Sequence, residues 1–156
     1  MNHIDVFNGD ADGICALHQL RLAQPIDSQL VTGPKRDISL LKRVKAVAGD
    51  QVTVLDIALS KNREALDALL EAGARVRYFD HHQPGEIPHH PNFEPHIDTD
   101  ANVCTSLLVN QALHGKQLVW AVAAAFGDNL ADAARQAAAP LNLSADQLAQ
   151  LQSLGE

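Results

Sequence analysis

The chain has 156 residues, 46% of them hydrophobic, which suits one core burying about 70% of the unfolded surface. A formal charge of -7 argues against a broad electropositive groove for long nucleic acid, because Lys and Arg supply most non-specific phosphate affinity. No apolar run approaches the ~18–20 residues that cross a bilayer, and Met1-Asn2-His3 does not open a basic leader, so a cytoplasmic single domain over 1–156 is expected.

Ile4 to Phe7 reads as a short strand, and Ile14, Leu17, Leu20 and Leu22 as a helix ending near Pro25. Strand Gln29 to Thr32, helix Ile38 to Val47, strand Gln51 to Asp56, helix Ser60 to Glu71 and strand Arg75 to Phe79 then alternate. Val52-Thr53-Val54-Leu55 has the continuous apolar and β-branched character of a strand buried on both faces. Gly73 stands at a helix C-terminus, and Ser60 is expected to cap the helix that follows Asp56. Beyond Phe79 a Pro- and His-rich loop runs through Asp100, where the sheet is expected to end. Helical segments follow at Val103 to Leu113 and Leu118 to Phe126, with Asp98 and Asp100 starting the first. The Ala-rich stretch Ala131 to Ala139 stops at Pro140, and Ser144 caps a last helix, Ala145 to Leu154. The expected fold is α/β: three layers, a mostly parallel sheet flanked by helices.

In such sheets, ligands bind outside the carboxyl ends of the strands. Asp10 and Asp12, Asp56, and Asp80-His81-His82 all lie at such ends, and Asp128 ends a helix. A carboxylate and two imidazoles delivered together suit a divalent transition ion, since His adds nitrogen to an oxygen-rich set. Four carboxylates balanced by two divalent ions would leave a site able to accept phosphate despite the acidic total. Taken singly, each motif has another reading. Asp12 could cap a helix, with Gly13 keeping the turn permissive, and Asp56 could serve a turn. An EF-hand fits poorly, lacking its Gly at position six and Glu at position twelve. A haloacid-dehalogenase-type phosphatase shares the Asp-x-Asp pair but not the His pair. Cys15 and Cys104 lack metal-finger spacing and read as buried free thiols. His89, His90 and His96 read as loop residues, and His18 and Trp120 as structural. Among the basic residues of Lys35 to Lys45, Arg36 is the candidate substrate contact.

With these residues placed, the sequence resembles the DHH phosphoesterase superfamily, most of all its RecJ-like branch. Asp10-Ala11-Asp12-Gly13 is similar to the first motif, Asp56 to the second, Asp80-His81-His82-Gln83-Pro84-Gly85 to the third and Gly127-Asp128-Asn129 to the fourth. The resemblance implies one ion on Asp10 and Asp56, and another on Asp12, Asp56, His81 and Asp128, with His82 at the scissile phosphate. Val6 stands where many members carry a His, four residues before Asp10, and the nearby donor is Asn8. The Gly-rich C-terminal substrate domain usual in the superfamily is also expected to be missing from these residues.

The function expected is a metal-dependent phosphoesterase with two ions, manganese foremost and magnesium as the alternative. Asp56 and His82 are its catalytic candidates, and short oligonucleotides or nucleotides its substrates. Phosphomonoesters or pyrophosphate are the alternative substrates. A non-catalytic nucleotide-binding module is the rival class, and Val6 is the feature that favours it.

Overall fold

The computed structural model describes residues Met1–Glu156. Five strands, β1 (His3–Asn8), β2 (Gln29–Gly33), β3 (Gln51–Leu55), β4 (Arg75–Asp80) and β5 (Phe93–Ile97), form one sheet in the order β2-β1-β3-β4-β5. Every pairing is parallel, so the α/β expectation holds and all carboxyl ends share one edge. The strand order reverses direction at β1 and β3, which opens a crevice between the loops that follow them.

Helices cover both faces. Helix α2 (Leu59–Glu71) lies on one face, where Leu66, Leu69 and Leu70 pack with Val6, Val52, Val54, Val76 and Tyr78. Against the other face lie α1 (Ala11–Ala23) and α3 (Thr105–Ala112), through Leu17, Leu20 and Val109 onto Phe7, Leu55 and Phe79. Behind them α4 (Leu118–Gly127) forms a second core with α5 (Ala131–Ala138) and α6 (Ala145–Gly155) around Val122, Phe126 and Ala134. Ser144 caps α6 in a reciprocal box with Gln147, as expected.

Several local expectations fail, each for a tertiary reason. The helix expected over Ile38 to Val47 is only a 3-10 turn, Leu40–Arg43. Leu40 and Leu41 are driven into the core, each 1% exposed. Asn62 satisfies the backbone there instead: its Oδ1 accepts from Leu41 N, and its Nδ2 donates to the carbonyls of Ile38 and Ala58.

The sheet also does not end at Asp80, because β5 adds an edge strand. Pro95 hides it from a propensity reading, yet at an edge its missing N–H costs no ladder bond. Phe93 meets Tyr78 edge-on at 6.2 Å, and His96 stacks on Phe79 at 4.3 Å.

Ser60 does not cap α2; the cap position is Ala58, and buried Leu59 already belongs to the helix. Asp98 and Asp100 make two successive turns, accepting from the amides of Asp100 and Asn102, and α3 begins only at Thr105.

Candidate metal centre

Several side chains that line the crevice are held by hydrogen bonds to the fold itself. Asp10 caps α1, its Oδ1 accepting from Gly13 N at 3.1 Å, which corrects the reading of Asp12 as that cap. Gly13 is helical, so its role is not a permissive turn. A Cβ there would lie 2.1 Å from the Asn8 carbonyl oxygen, so only glycine lets α1 start this close to the end of β1.

Asp12, 1% exposed, turns away from its own helix to cap another. Its two oxygens accept from the amides of Thr105 at 2.8 Å and Ser106 at 2.7 Å, at the start of α3. The capping partner of α3 is thus far away in sequence, while Cys104 at its cap position contributes no side-chain bond.

Asp56 follows β3 with φ of 61°, a left-handed conformation uncommon for a non-glycine residue. Such a conformation persists where surrounding structure enforces it, often at functional sites. Its Oδ1 accepts from Thr105 Oγ1 at 3.2 Å. Asp128 stands at the C-cap of α4, where the helix dipole disfavours a negative charge. Asn129 beside it is left-handed, φ 61°, and turns the chain away.

His81 leaves β4 into the midst of these acids. Its Nε2 lies 3.3 Å from Asp56 Oδ1, 3.5 Å from Asp128 Oδ2 and 3.8 Å from Asp12 Oδ2. Ligand atoms of Asp12, His81 and Asp128 fall within 4.8 Å of one another, as do those of Asp56, His81 and His82. The structure therefore brings together Asp12, Asp56, His81, His82 and Asp128. Asp10 lies beside them but in neither group, because its Oδ2 meets Lys35 Nζ at 3.2 Å.

Crowding like charges has the effect expected of it. Burial, with repulsion from Asp12 and Asp10, pushes the Asp56 carboxyl up to about 8 against the pull of His81. Burial also raises Asp12, and Asp128 adds to the rise while the α3 amides oppose it. Burial disfavours charge on His81, but the Asp56 hydrogen bond and the surrounding carboxylates outweigh it and hold the imidazole up at about 9. Burial would raise Asp10 too, yet its Gly13 amide bond and Lys35 bring it below its ordinary value.

Asn8 Oδ1 at the end of β1 is buried with no partner. Mixed carboxylate and imidazole donors, an orphaned amide oxygen and uncompensated negative charge fit a divalent cation.

Two contributors take parts other than those expected, Asp80 as a metal-type carboxylate and Lys35 as one of several basic residues steering phosphate. Asp80, fully buried, accepts from or shares a proton with His82 Nδ1 at 2.6 Å, and that bond is the main cause holding the His82 imidazole above its ordinary value. The triplet signalled the cluster, but spacing alone did not show that Asp80 would face His82 and not the cation position. The other is Lys35, which reaches Asp10 and, at 3.7 Å, Asp128 Oδ1. Arg36 beside it is exposed and forms no ion pair. The remaining candidates stay apart. His89 and His90 are exposed, and His18 packs edge-on against Trp120 at 4.5 Å. The cysteines are free and buried, with Cys15 raised by burial to about 11.

No protein-family model matches the chain, and no curated protein matches it. Among solved structures, the crystal structure of RecJ in complex with Mn2+ from Thermus thermophilus is similar in fold, with a TM-score of 0.54 at 20% sequence identity. The likeness covers 86% of this chain and 24% of that one, so these residues span about a quarter of the RecJ chain. No helix here is long and apolar enough to cross a membrane.

Proposed function

We propose that this chain is the catalytic part of a metal-dependent phosphoesterase that cleaves phosphodiester bonds in short oligonucleotides or nucleotides. The observation that carries the reading is the convergence of Asp12, Asp56 and Asp128 on His81 Nε2, from the first turn of α1, the loop after β3 and the end of α4. The fold likeness to a manganese-complexed RecJ and the order of the four motifs support it.

Asp12, Asp56, His81 and Asp128 would hold a divalent ion, manganese by the mixed donor set, with magnesium the alternative. A second ion would have only Asp10, Asp56 and Asn8 as its protein ligands. When bound, such ions supply Lewis acidity, lowering the pKa of water and neutralising phosphoryl oxygens.

The protein's own contributions follow from its geometry. Asp80 fixes the His82 ring through Nδ1, leaving Nε2 to donate to a phosphoryl or leaving oxygen. The α3 amides hold Asp12, and Thr105 Oγ1 holds Asp56, so neither carboxylate must reorganise when phosphate binds. Arg36, exposed and next in sequence to Lys35, would be available to the far part of a substrate.

The test compares a dinucleotide, a long single strand, a phosphomonoester and pyrophosphate with manganese-loaded protein. Preferential dinucleotide cleavage is expected. Preference for pyrophosphate or the monoester supports the alternative substrates, and metal binding with no turnover of any of the four supports a nucleotide-binding module.

A further inference from the structure

The parallel register of β1 and β2 pairs Asn8 with Gly33, so the turns that leave these strands are neighbours. They are pressed together: Gly9 N donates to Gly33 O at 2.9 Å, and a Cβ on Gly9 would lie 2.6 Å from that oxygen. The turn after β2 closes through Asp37 N to Pro34 O, and Asp37 is itself paired to Arg43. Lys35 rides on this turn, its side chain 66% exposed and its ammonium between Asp10 and Asp128.

Both oxygens of Asp10 are thereby engaged, Oδ1 by Gly13 N and Oδ2 by Lys35. Asp128 divides its oxygens in the same sense, Oδ2 toward His81 and Oδ1 toward Lys35. On this side of the crevice the strand offers Val6, wholly buried in the core, and no imidazole.

We propose that the Lys35 ammonium takes the place of a second divalent ion beside Asp10 and Asp128, so that the free protein holds a single ion at Asp12, Asp56, His81 and Asp128. The inference rests on the metal-site reading above and adds to it a composition: one metal ion and one lysine as the two positive centres facing phosphate. An ammonium is a compact point charge with three donors, suited to meeting two carboxylates and a phosphoryl oxygen together. A dication entering beside Asp10 would have to displace it, with only Asp10, Asp56 and Asn8 as protein ligands.

The experiment is calorimetric titration of chelator-stripped protein with manganese, for the wild-type chain, Lys35→Met and, as a control for losing a surface positive charge, Lys42→Met. Thermal unfolding confirms that each is folded. One ion per chain is expected in the wild type and in the control. Two are expected in Lys35→Met, the second at least tenfold tighter than any second event in the wild type, with a spin-coupled manganese pair in its electron paramagnetic resonance spectrum. Two tight ions in the wild type, or one in Lys35→Met, would overturn the role of Lys35 and leave the metal site standing. No manganese binding by any of the three would overturn the metal site itself.

Discussion

Buried aspartates occur toward both edges of this one sheet, and their surroundings differ in kind. Toward the amino edge, Asp5 is 1% exposed and accepts from Arg21 Nε and Nη2 and from Ser28 Oγ, so its charge is answered by a partner of its own. Asp50, also at that end, accepts from the amides of Asn2 and Val47 and has no second carboxylate beside it in an ion-pair cluster. At the carboxyl edge, Asp10, Asp12, Asp56 and Asp128 share one lysine and one imidazole. A structural acid is neutralised where it stands, whereas these acids are oriented by hydrogen bonds and left short of positive charge. Orientation without neutralisation is what a cation site requires.

The sharpest way to break that contrast is Asp56→Asn, which keeps a side chain tolerant of the left-handed backbone. Manganese binding and hydrolysis are expected to fall to background, measured by calorimetry and turnover. The metal-free protein is expected to become more stable, its Tm rising by about 2–4 °C for each kcal/mol no longer spent holding the Asp56 carboxyl protonated. Asp5→Asn should do the reverse. It should cost about 2–3 kcal/mol in denaturant unfolding, below the ~3–5 kcal/mol of a fully buried pair because Arg21 is 20% exposed, and leave manganese affinity intact. Loss of metal in the Asp5 variant would erase the distinction between the two edges.

His82→Ala comes next in size. It should keep full metal content while lowering kcat by about 10²- to 10⁴-fold, the range for a positioned proton donor; a metal-depleted variant would make His82 a ligand instead. Asp80→Asn acts through His82 and should be milder, about 10- to 100-fold in kcat, with the His82 titration followed by NMR moving down toward its ordinary value.

The smallest effect is one of pH. In the metal-free fold Asp56 keeps its proton up to about 8 and His81 up to about 9, both above their ordinary values of 3.8 and 6.5. Between those limits the native state binds more protons than the unfolded chain, so stability is greatest at acid pH and falls as pH rises. The Tm of chelated protein should therefore decline from pH 5 to pH 9, with a shallower slope in Asp56→Asn. Apparent manganese affinity should climb across the same window, because the ion must displace these protons.

The sequence by itself determined the parallel alternation of strands and helices and the side chains gathered at the strand ends. Periodicity, the β-branched run of β3 and the order of the Asp and His motifs are local properties that survive without knowledge of the fold. Tertiary structure decided what depends on distant partners. The Leu40–Leu41 segment gave up its helix because its leucines serve the core and Asn62 satisfies its backbone. The Pro-containing β5 became a strand because β4 offered an unpaired edge and Tyr78 and Phe79 offered rings to pack on. Asp12 turned to cap α3, ninety-odd residues away, rather than its own helix. Lys35, unremarkable in a basic stretch, acquired a role because register brought its turn against that of Asp10. Composition and spacing specify which groups are available, but only the packed chain fixes which charges must answer one another.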